Sequence, residues 1–296
     1  PLYRVFEECE RFANEFGVRV TGSELVGLVP LEAMTDTGKH VLNKQGGSIG
    51  VSEAELVRIA VQTLGLNEVS EFNIQDRIIE YRFRKRGNLV SMALDTFSDE
   101  LASDSPAPGG GSVAALNGAL SASLAAMVGN LTYGKRKYKD VRAEMIDSSV
   151  KGQSLKQFFI DAIDKDTDAF NKIMDGFSLP KGTEEEKKIR ANAIMDATKE
   201  ATLVPFSVLE KTKEAAEIAL ITAEKGNQNS LSDAGVAGLT AESAAEGAFY
   251  NVLINLEDID DKTFKTDIRE KAIQINNEVK EITAKIKSIL YKRFGV

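Results

Sequence analysis

Residues 155–177 read LKQFFIDAIDKDTDAFNKIMDGF. At about 100° per residue, Leu155, Phe159, Ala162, Phe170, Ile173 and Phe177 share one stripe, so the stretch predicts an amphipathic helix facing a core. Asp166 falls at the centre of that stripe, whereas Asp161, Asp164 and Asp168 project to the other side. A carboxylate on an apolar face loses hydration, and its pKa rises unless a partner charge or hydrogen bonds hold it ionised. A general acid or base needs that environment. A structural aspartate that caps a neighbouring helix or pairs with a buried Lys or Arg leaves the same signature, and periodicity alone leaves both readings open.

Working outward, Val141, Met145, Ser148 and Gly152 carry the stripe backwards and predict one helix of roughly forty residues, or two stacked end to end. Upstream, residues 88–103 place Leu89, Met92, Phe97 and Leu101 at helical spacing until the turn SPAPGGGS. A helix rich in small residues starts near Ser112 and ends at the loop TYGKRKYKD. Downstream, Thr183 and Glu186 form a capping box for a helix that Pro205 should kink and that GNQNSLSD should break near Gly226. Helices over 232–257 and 261–294 follow. Six long helices joined by short loops predict an antiparallel bundle.

The first 83 residues read differently. A helix over 2–16 precedes the extended piece VRVTG, and a strand-like run ending at Pro30 leads into a helix reaching about Leu42. Ser52 and Glu55 cap a further helix, and DRIIEYRF reads as a possible strand. This is a small α/β unit. The run Arg82, Arg84, Lys85, Arg86, Gly87 then changes the composition, so residues 84–87 read as a basic linker between 1–83 and a helical domain over 88–296. The whole is mainly α, and the helical pattern already under way at Pro1 reads as a cut inside a longer protein.

The totals exclude several classes. A hydrophobic share of 43% and a charged share of 28% over 296 residues fit a soluble globular protein with room for two domains. A net charge of −8 argues against nucleic-acid binding, which needs a basic surface, so an anionic ligand must meet a local basic patch. Cys9 is the one cysteine, which excludes an intrachain disulfide framework and fits a reducing, cytoplasmic compartment. With His40 the one histidine, a typical zinc site is hard to assemble, and none is expected. Residues 112–131 are the most apolar stretch. Their small side chains, with Asn117 and Asn130, predict a buried bundle helix rather than a membrane span.

Four further features are candidates for chemistry. The turn PAPGGGSVAA, residues 106–115, puts Pro108, Gly109, Gly110 and Gly111 ahead of a helix with Ser112 as its expected N-cap. Unpaired N–H groups and the positive dipole end suit an anion or heteroatom there, although a flexible turn at a crowded junction explains the glycines as well. Lys135, Arg136 and Lys137 gather cations at the far end of the same helix, as a docking patch for a carboxylate ligand or as a solvated loop. Asn251 and Asn255 share a helix face, where they could bind a heterocycle or tie two helices together. Asp233, with Ser232, sits at the start of that helix, where capping is the simpler role.

Together these features resemble the bifunctional formimidoyltransferase-cyclodeaminase family. Residues 88–296 resemble its cyclodeaminase domain through FSDELASDSPAPGGGSVAAL, MVGNLTYGKRKY, DKDTDAF, SDAGVA and YNVLINLEDI. Residues 1–83 resemble the end of its formiminotransferase domain through PLYRVFEECERFA, GVRVTGSELVGLVPLEAM and IIEYRF. His40 does not match that domain's catalytic histidine, so transferase activity is not expected. The resemblance implies conversion of 5-formiminotetrahydrofolate to 5,10-methenyltetrahydrofolate and ammonia in histidine degradation. Asp166 would be the catalytic acid and base, with Asp164, Asp233 and Asn255 in support. The glycine turn and Asn251 would line the folate pocket, and Lys135, Arg136 and Lys137 would hold a polyglutamate tail. It implies a homodimer or ring of dimers, no cofactor beyond the folate substrate, no metal, no nucleic acid and no membrane. A methenyltetrahydrofolate cyclohydrolase and a non-catalytic helical assembly module are the competing readings.

Overall fold

The computed structural model, which describes residues 1–84 and 87–296, carries the opening stretch inside one unbroken helix, Arg142–Ser178. Its buried face runs Met145, Ser148, Gly152, Leu155, Phe159, Ala162, Ile163, Ala169 and Gly176. The expected stripe therefore holds as far as Asp166 and then drifts, because 3.6 residues per turn moves the facing positions along so long a helix. Phe177, expected on the core side, is 51% exposed. Gly176 takes the inward place, where a Cβ would meet the Ile194 side chain at 3.0 Å.

The chain divides into two compact units, Pro1–Lys85 and Arg86–Val296. Two residues of the expected basic linker, Lys85 and Arg86, lie outside the described residues. In the first unit the helices are α1 (Leu2–Glu15), α2 (Leu31–Gln45), α3 (Glu53–Thr63), α4 (Ile74–Arg77) and α5 (Ile79–Phe83). In the second they are α6 (Leu94–Leu101), α7 (Gly110–Tyr133), α8 (Arg142–Ser178), α9 (Glu184–Lys225), α10 (Leu231–Glu257) and α11 (Lys262–Phe294). The first of the six expected long helices is a short one: 88–103 becomes a 3₁₀ turn at Leu89–Ser91 followed by the eight residues of α6.

The expected α/β character of residues 1–83 is corrected. Among the described residues no strand forms, and the extended pieces meet only in an isolated bridge between Val29 and Ile78. A ladder needs successive paired residues. Here Val29 N–H donates to Arg77 O at 2.9 Å and Ile79 N–H to Val29 O at 3.0 Å, and the chain turns into α5 immediately afterwards. The core of this unit is helical packing of Met34, Val57, Ala60 and Leu64 with Val29 and Ile78.

Contacts fix the directions in the second unit. α8 and α9 are antiparallel, since Lys172 pairs with Glu200 while Glu144 pairs with Lys225. α10 and α11 are antiparallel through Glu246–Lys280 and Glu242–Lys287. α7 runs against α8: Gly118 lies on the Phe159 ring, where a Cβ would come within 2.6 Å, Gly152 faces Ala122 O one turn further on, and toward the other end Gly129 faces Met145 O. The small residues of α7 thus bring two backbones close enough for Phe159, fully buried, to fill the gap between them. Burying such a ring stabilises by roughly 1.5–3 kcal/mol.

α9 continues through Pro205 as a single helix of 42 residues. Proline lacks an N–H, so the carbonyl four residues earlier loses its helical donor. That carbonyl belongs to Ala201, and Asn255 Nδ2 of α10 donates to it at 2.8 Å. The expected capping box is present in full at the start of α9, with Thr183 and Glu186 each accepting from the other's backbone N–H.

Candidate active site

The glycine turn enters α7 through a cis Ala107–Pro108 bond and an extended Gly109, which is the N-cap. This corrects the expectation for Ser112. It lies inside the first turn, fully buried, and its hydroxyl reaches across to α8 rather than capping its own helix. Ser112 Oγ stands 3.0 Å from Ile163 O and 3.3 Å from Asp166 Oδ2.

The two glycines ahead of it press on different neighbours. A Cβ on Gly111 would fall 2.1 Å from Asp166 Oδ1, and one on Gly110 would fall 3.3 Å from the Asn251 amide nitrogen. The start of α7 is therefore wedged between Asp166 of α8 and Asn251 of α10. Gly110 itself is exposed, so the wedge reaches solvent. Asn251 spends its N–H₂ on Gly247 O at 2.8 Å, and among the described residues its side-chain oxygen accepts no hydrogen bond. That oxygen is available to a donor on a ligand.

Asp166 is half-buried, and among the described residues no Lys or Arg pairs with it. Burial pushes its carboxyl above the usual aspartate range, opposed by hydrogen bonds from the Ser112 hydroxyl and the Ser112 backbone N–H. A carboxyl held in this way can take a proton from a weakly acidic N–H and give it back. Among the described residues no cluster of His, Cys, Asp or Glu has the composition of a metal site.

The other expected site residues separate into structural posts and a distant group. Asp164 accepts from the backbone N–H groups of Leu89 at 2.9 Å and Val90 at 3.3 Å, so its carboxylate anchors the 3₁₀ turn to α8 and is not directed at Asp166. Asn255 serves the carbonyl freed by Pro205. Lys135, Arg136 and Lys137 are exposed beyond the other end of α7, about 35 Å along a 24-residue helix from the glycine turn. Asp233 shares that far end: the turn before α10 is tied there by Asn227 N–H to Thr132 Oγ1 at 2.8 Å and Gln228 N–H to the Tyr138 hydroxyl at 3.1 Å. Within one chain the structure gathers Pro108, Gly109, Gly110, Gly111, Ser112, Asp166 and Asn251, and leaves the basic run and Asp233 apart. Sequence reasoning missed Thr167, whose buried hydroxyl has no hydrogen-bond partner among the described residues. No signal in the sequence distinguishes it from any other helical threonine.

Comparison with known proteins matches residues 93–274 to a family model described as formiminotransferase-cyclodeaminase, and residues 1–84 to one described as the formiminotransferase domain. The chain is 35% identical over 295 residues to the formimidoyltransferase-cyclodeaminase of Mus musculus, covering 99% of this chain and 54% of that protein. It thus spans about half the length of the curated relatives of this kind. It is 44% identical over 171 residues to a methenyltetrahydrofolate cyclohydrolase of Methylorubrum extorquens, covering 58% of this chain and 82% of the other. A crystal structure of formiminotetrahydrofolate cyclodeaminase from Thermotoga maritima superposes with a TM-score of 0.63 at 31% identity, covering 69% of this chain and 98% of that one.

Proposed function

The chain belongs to the formiminotransferase-cyclodeaminase family, and from that membership we propose that its helical unit is a formimidoyltetrahydrofolate cyclodeaminase, an ammonia lyase of histidine degradation and one-carbon metabolism. One observation carries the reading: a half-buried, unpaired Asp166 lies directly against the glycine-rich start of α7. A structural role would pair it with a cation, and among the described residues none does; the Ser112 N–H in the first turn of α7 is a capping contact, and it holds the carboxyl against the glycine turn.

The formimino group is an amidine and enters protonated. As N10 attacks its carbon, the C–N10 bond forms and the N10 proton passes to the Asp166 carboxylate. The resulting acid returns that proton to the former imino nitrogen, now an amine, and the C–N bond breaks with loss of ammonia. The positive charge of the amidinium ends on the methenyl product, so charge and protons balance without a cofactor. Asp166 acts twice, first as base and then as acid. The free oxygen of Asn251 would accept from a substrate N–H, and the exposed edge at Gly109 and Gly110 would admit the folate.

The basic run would hold the glutamate tail of a polyglutamylated folate. A full helix separates it from Asp166, so this requires either a long tail lying along α7 or a second copy placed head to tail. The homodimer or ring of dimers supplies the second arrangement. A cytoplasmic location follows the same reading, with neither nucleic acid nor membrane as a partner.

The cyclohydrolase reading has the likeness to the Methylorubrum extorquens protein in its favour. Assaying ammonia release from 5-formiminotetrahydrofolate beside hydrolysis of 5,10-methenyltetrahydrofolate separates the two. Ammonia release is expected, and Asp166→Asn should lower it by about 10²–10⁴-fold. Full turnover by Asp166→Asn would return the residue to a structural role.

A further inference from the structure

Ser112 has one hydroxyl proton and two oxygen neighbours that can accept it, Asp166 Oδ2 at 3.3 Å and Ile163 O at 3.0 Å. A hydroxyl donates once and accepts twice. Thr167 stands four residues after Ile163, where a helical threonine ordinarily returns its hydroxyl to the i−4 carbonyl. Its Oγ1 is instead buried without a partner among the described residues, while Ser112 occupies the Ile163 carbonyl. Two hydroxyls therefore compete for one carbonyl, and only one of them also touches Asp166.

We propose that Ser112 is a positioning residue that holds the Asp166 carboxyl in the same place in both of its protonation states, with Thr167 as the standby donor to Ile163 O. When Asp166 is ionised, Ser112 donates to Oδ2 and the Thr167 hydroxyl turns onto Ile163 O. When Asp166 is protonated, its O–H donates to Ser112 Oγ, and Ser112 donates to Ile163 O. No proton leaves either hydroxyl; each one only rotates. A carboxyl used first as base and then as acid thus keeps a partner through both half-reactions, and the cost of the changeover falls on the Thr167 hydroxyl, which is without an acceptor only while Asp166 is protonated. This rests on the cyclodeaminase reading for its catalytic meaning and on geometry alone for the coupling of Ser112 to Asp166.

Other charges do not provide the same control. α7 carries no Asp, Glu, Lys, Arg or His. On α8, Asp164 is bound to the Leu89 and Val90 N–H groups, and Asp161, Lys165 and Asp168 are exposed. On α9, Lys199 is paired with Asp261 and Glu200 with Lys172, and on α10 Glu246 is paired with Lys280.

The experiment uses the full chain with Ser112→Ala and Thr167→Val. Two readouts are taken: the ¹³C carboxyl titration of Asp166 in ligand-free protein, assigned with Asp166→Asn, and the pH profile of kcat/KM for ammonia release. Ser112→Ala is expected to move the titration and the acid limb of the profile together to higher pH. It should also lower kcat about tenfold with KM little changed. Thr167→Val should move both in the same direction by less. A Ser112→Ala protein whose titration and acid limb stay in place overturns the proposal, even if its rate falls. A wild-type chain that releases no ammonia while its titration still responds to Ser112→Ala overturns the functional reading and leaves the coupling supported.

Discussion

The two ends of α7 are built from opposite materials. At the Gly110 end the backbone comes within contact distance of Asp166 and Asn251, the nearby serine is fully buried, and no charge lies on the helix itself. At the Tyr133 end the chain opens into an exposed 3₁₀ segment, Arg136–Val141, preceded by Lys135. The first end is preorganised, since its groups are fixed by neighbours before any ligand arrives, which suits an atom that must meet a reacting centre. The second is solvated and adaptable, which suits recognition of a flexible anion at low structural precision. Proximity in sequence concealed the contrast: about 35 Å of helix separates features that stand 23 positions apart in the chain, Ser112 and Lys135.

The sharpest way to break the comparison is to add one methyl at each end. Gly111→Ala places a carbon 2.1 Å from Asp166 Oδ1, so the carboxylate must move. A displacement of this size at a reacting group is expected to lower kcat about 100-fold, while circular dichroism stays that of wild type. Gly134 has nothing within 4 Å of the same added carbon. Gly134→Ala should keep its rate within about twofold. Equal losses at the two positions would show that the precision assigned to the Gly110 end is not confined there.

The basic end is tested through binding. Replacing Lys135 and Arg136 together by Ala should raise KM for a polyglutamylated folate about tenfold. Its kcat and the KM for the monoglutamate should remain near wild type. An unchanged KM for the long-tailed substrate removes tail docking from the account. Mixing this variant with Asp166→Asn sharpens the result further. If one copy's basic run serves another copy's Asp166, the mixture recovers low-KM turnover that neither parent has alone. If both features act within one chain, it does not.

Much of the difference between these ends was legible in the residues, and what was not has identifiable causes. Helical period isolated Asp166 because the signal is a single polar group among large apolar ones, and burial in the structure answers to the same geometry. The box at Thr183 and Glu186 was legible because all its partners lie within one turn. For Ser112 the local pattern suggests a cap, whereas its partners are 51 and 54 positions away and a local pattern holds no record of them. Asp164 looked like support for its neighbour, yet its carboxylate is spent on N–H groups 74 and 75 positions earlier. Asn255 has an explanation within the sequence: Pro205 frees the Ala201 carbonyl, and a nearby half-buried amide is the natural donor to it. The strands expected in 18–29 and 76–83 failed for a related reason, because extended propensity makes a sheet only where a partner run lies alongside.

The smallest expected effect concerns stability, and it follows from the state of the Gly110 end at rest. Asp166 titrates above its unfolded value because burial disfavours the charged form, with the Ser112 hydrogen bonds opposing. The folded chain therefore binds this proton more tightly than the unfolded chain does, and ionisation penalises the native state. As pH rises from the unfolded pKa to the folded one, the unfolded chain ionises first and the penalty grows; above the folded pKa it is constant. Asp166→Asn removes the charge, so its melting temperature should exceed that of wild type at neutral and higher pH, by about 2–4 °C for each kcal/mol of penalty relieved. The gap should close as pH falls through the folded pKa toward the unfolded one. Thermal scans from pH 4 to pH 8 measure it directly. A variant that is less stable than wild type across that range would mean that the carboxylate contributes to holding the bundle together, and Asp166 would then belong with Asp164 among the structural acids.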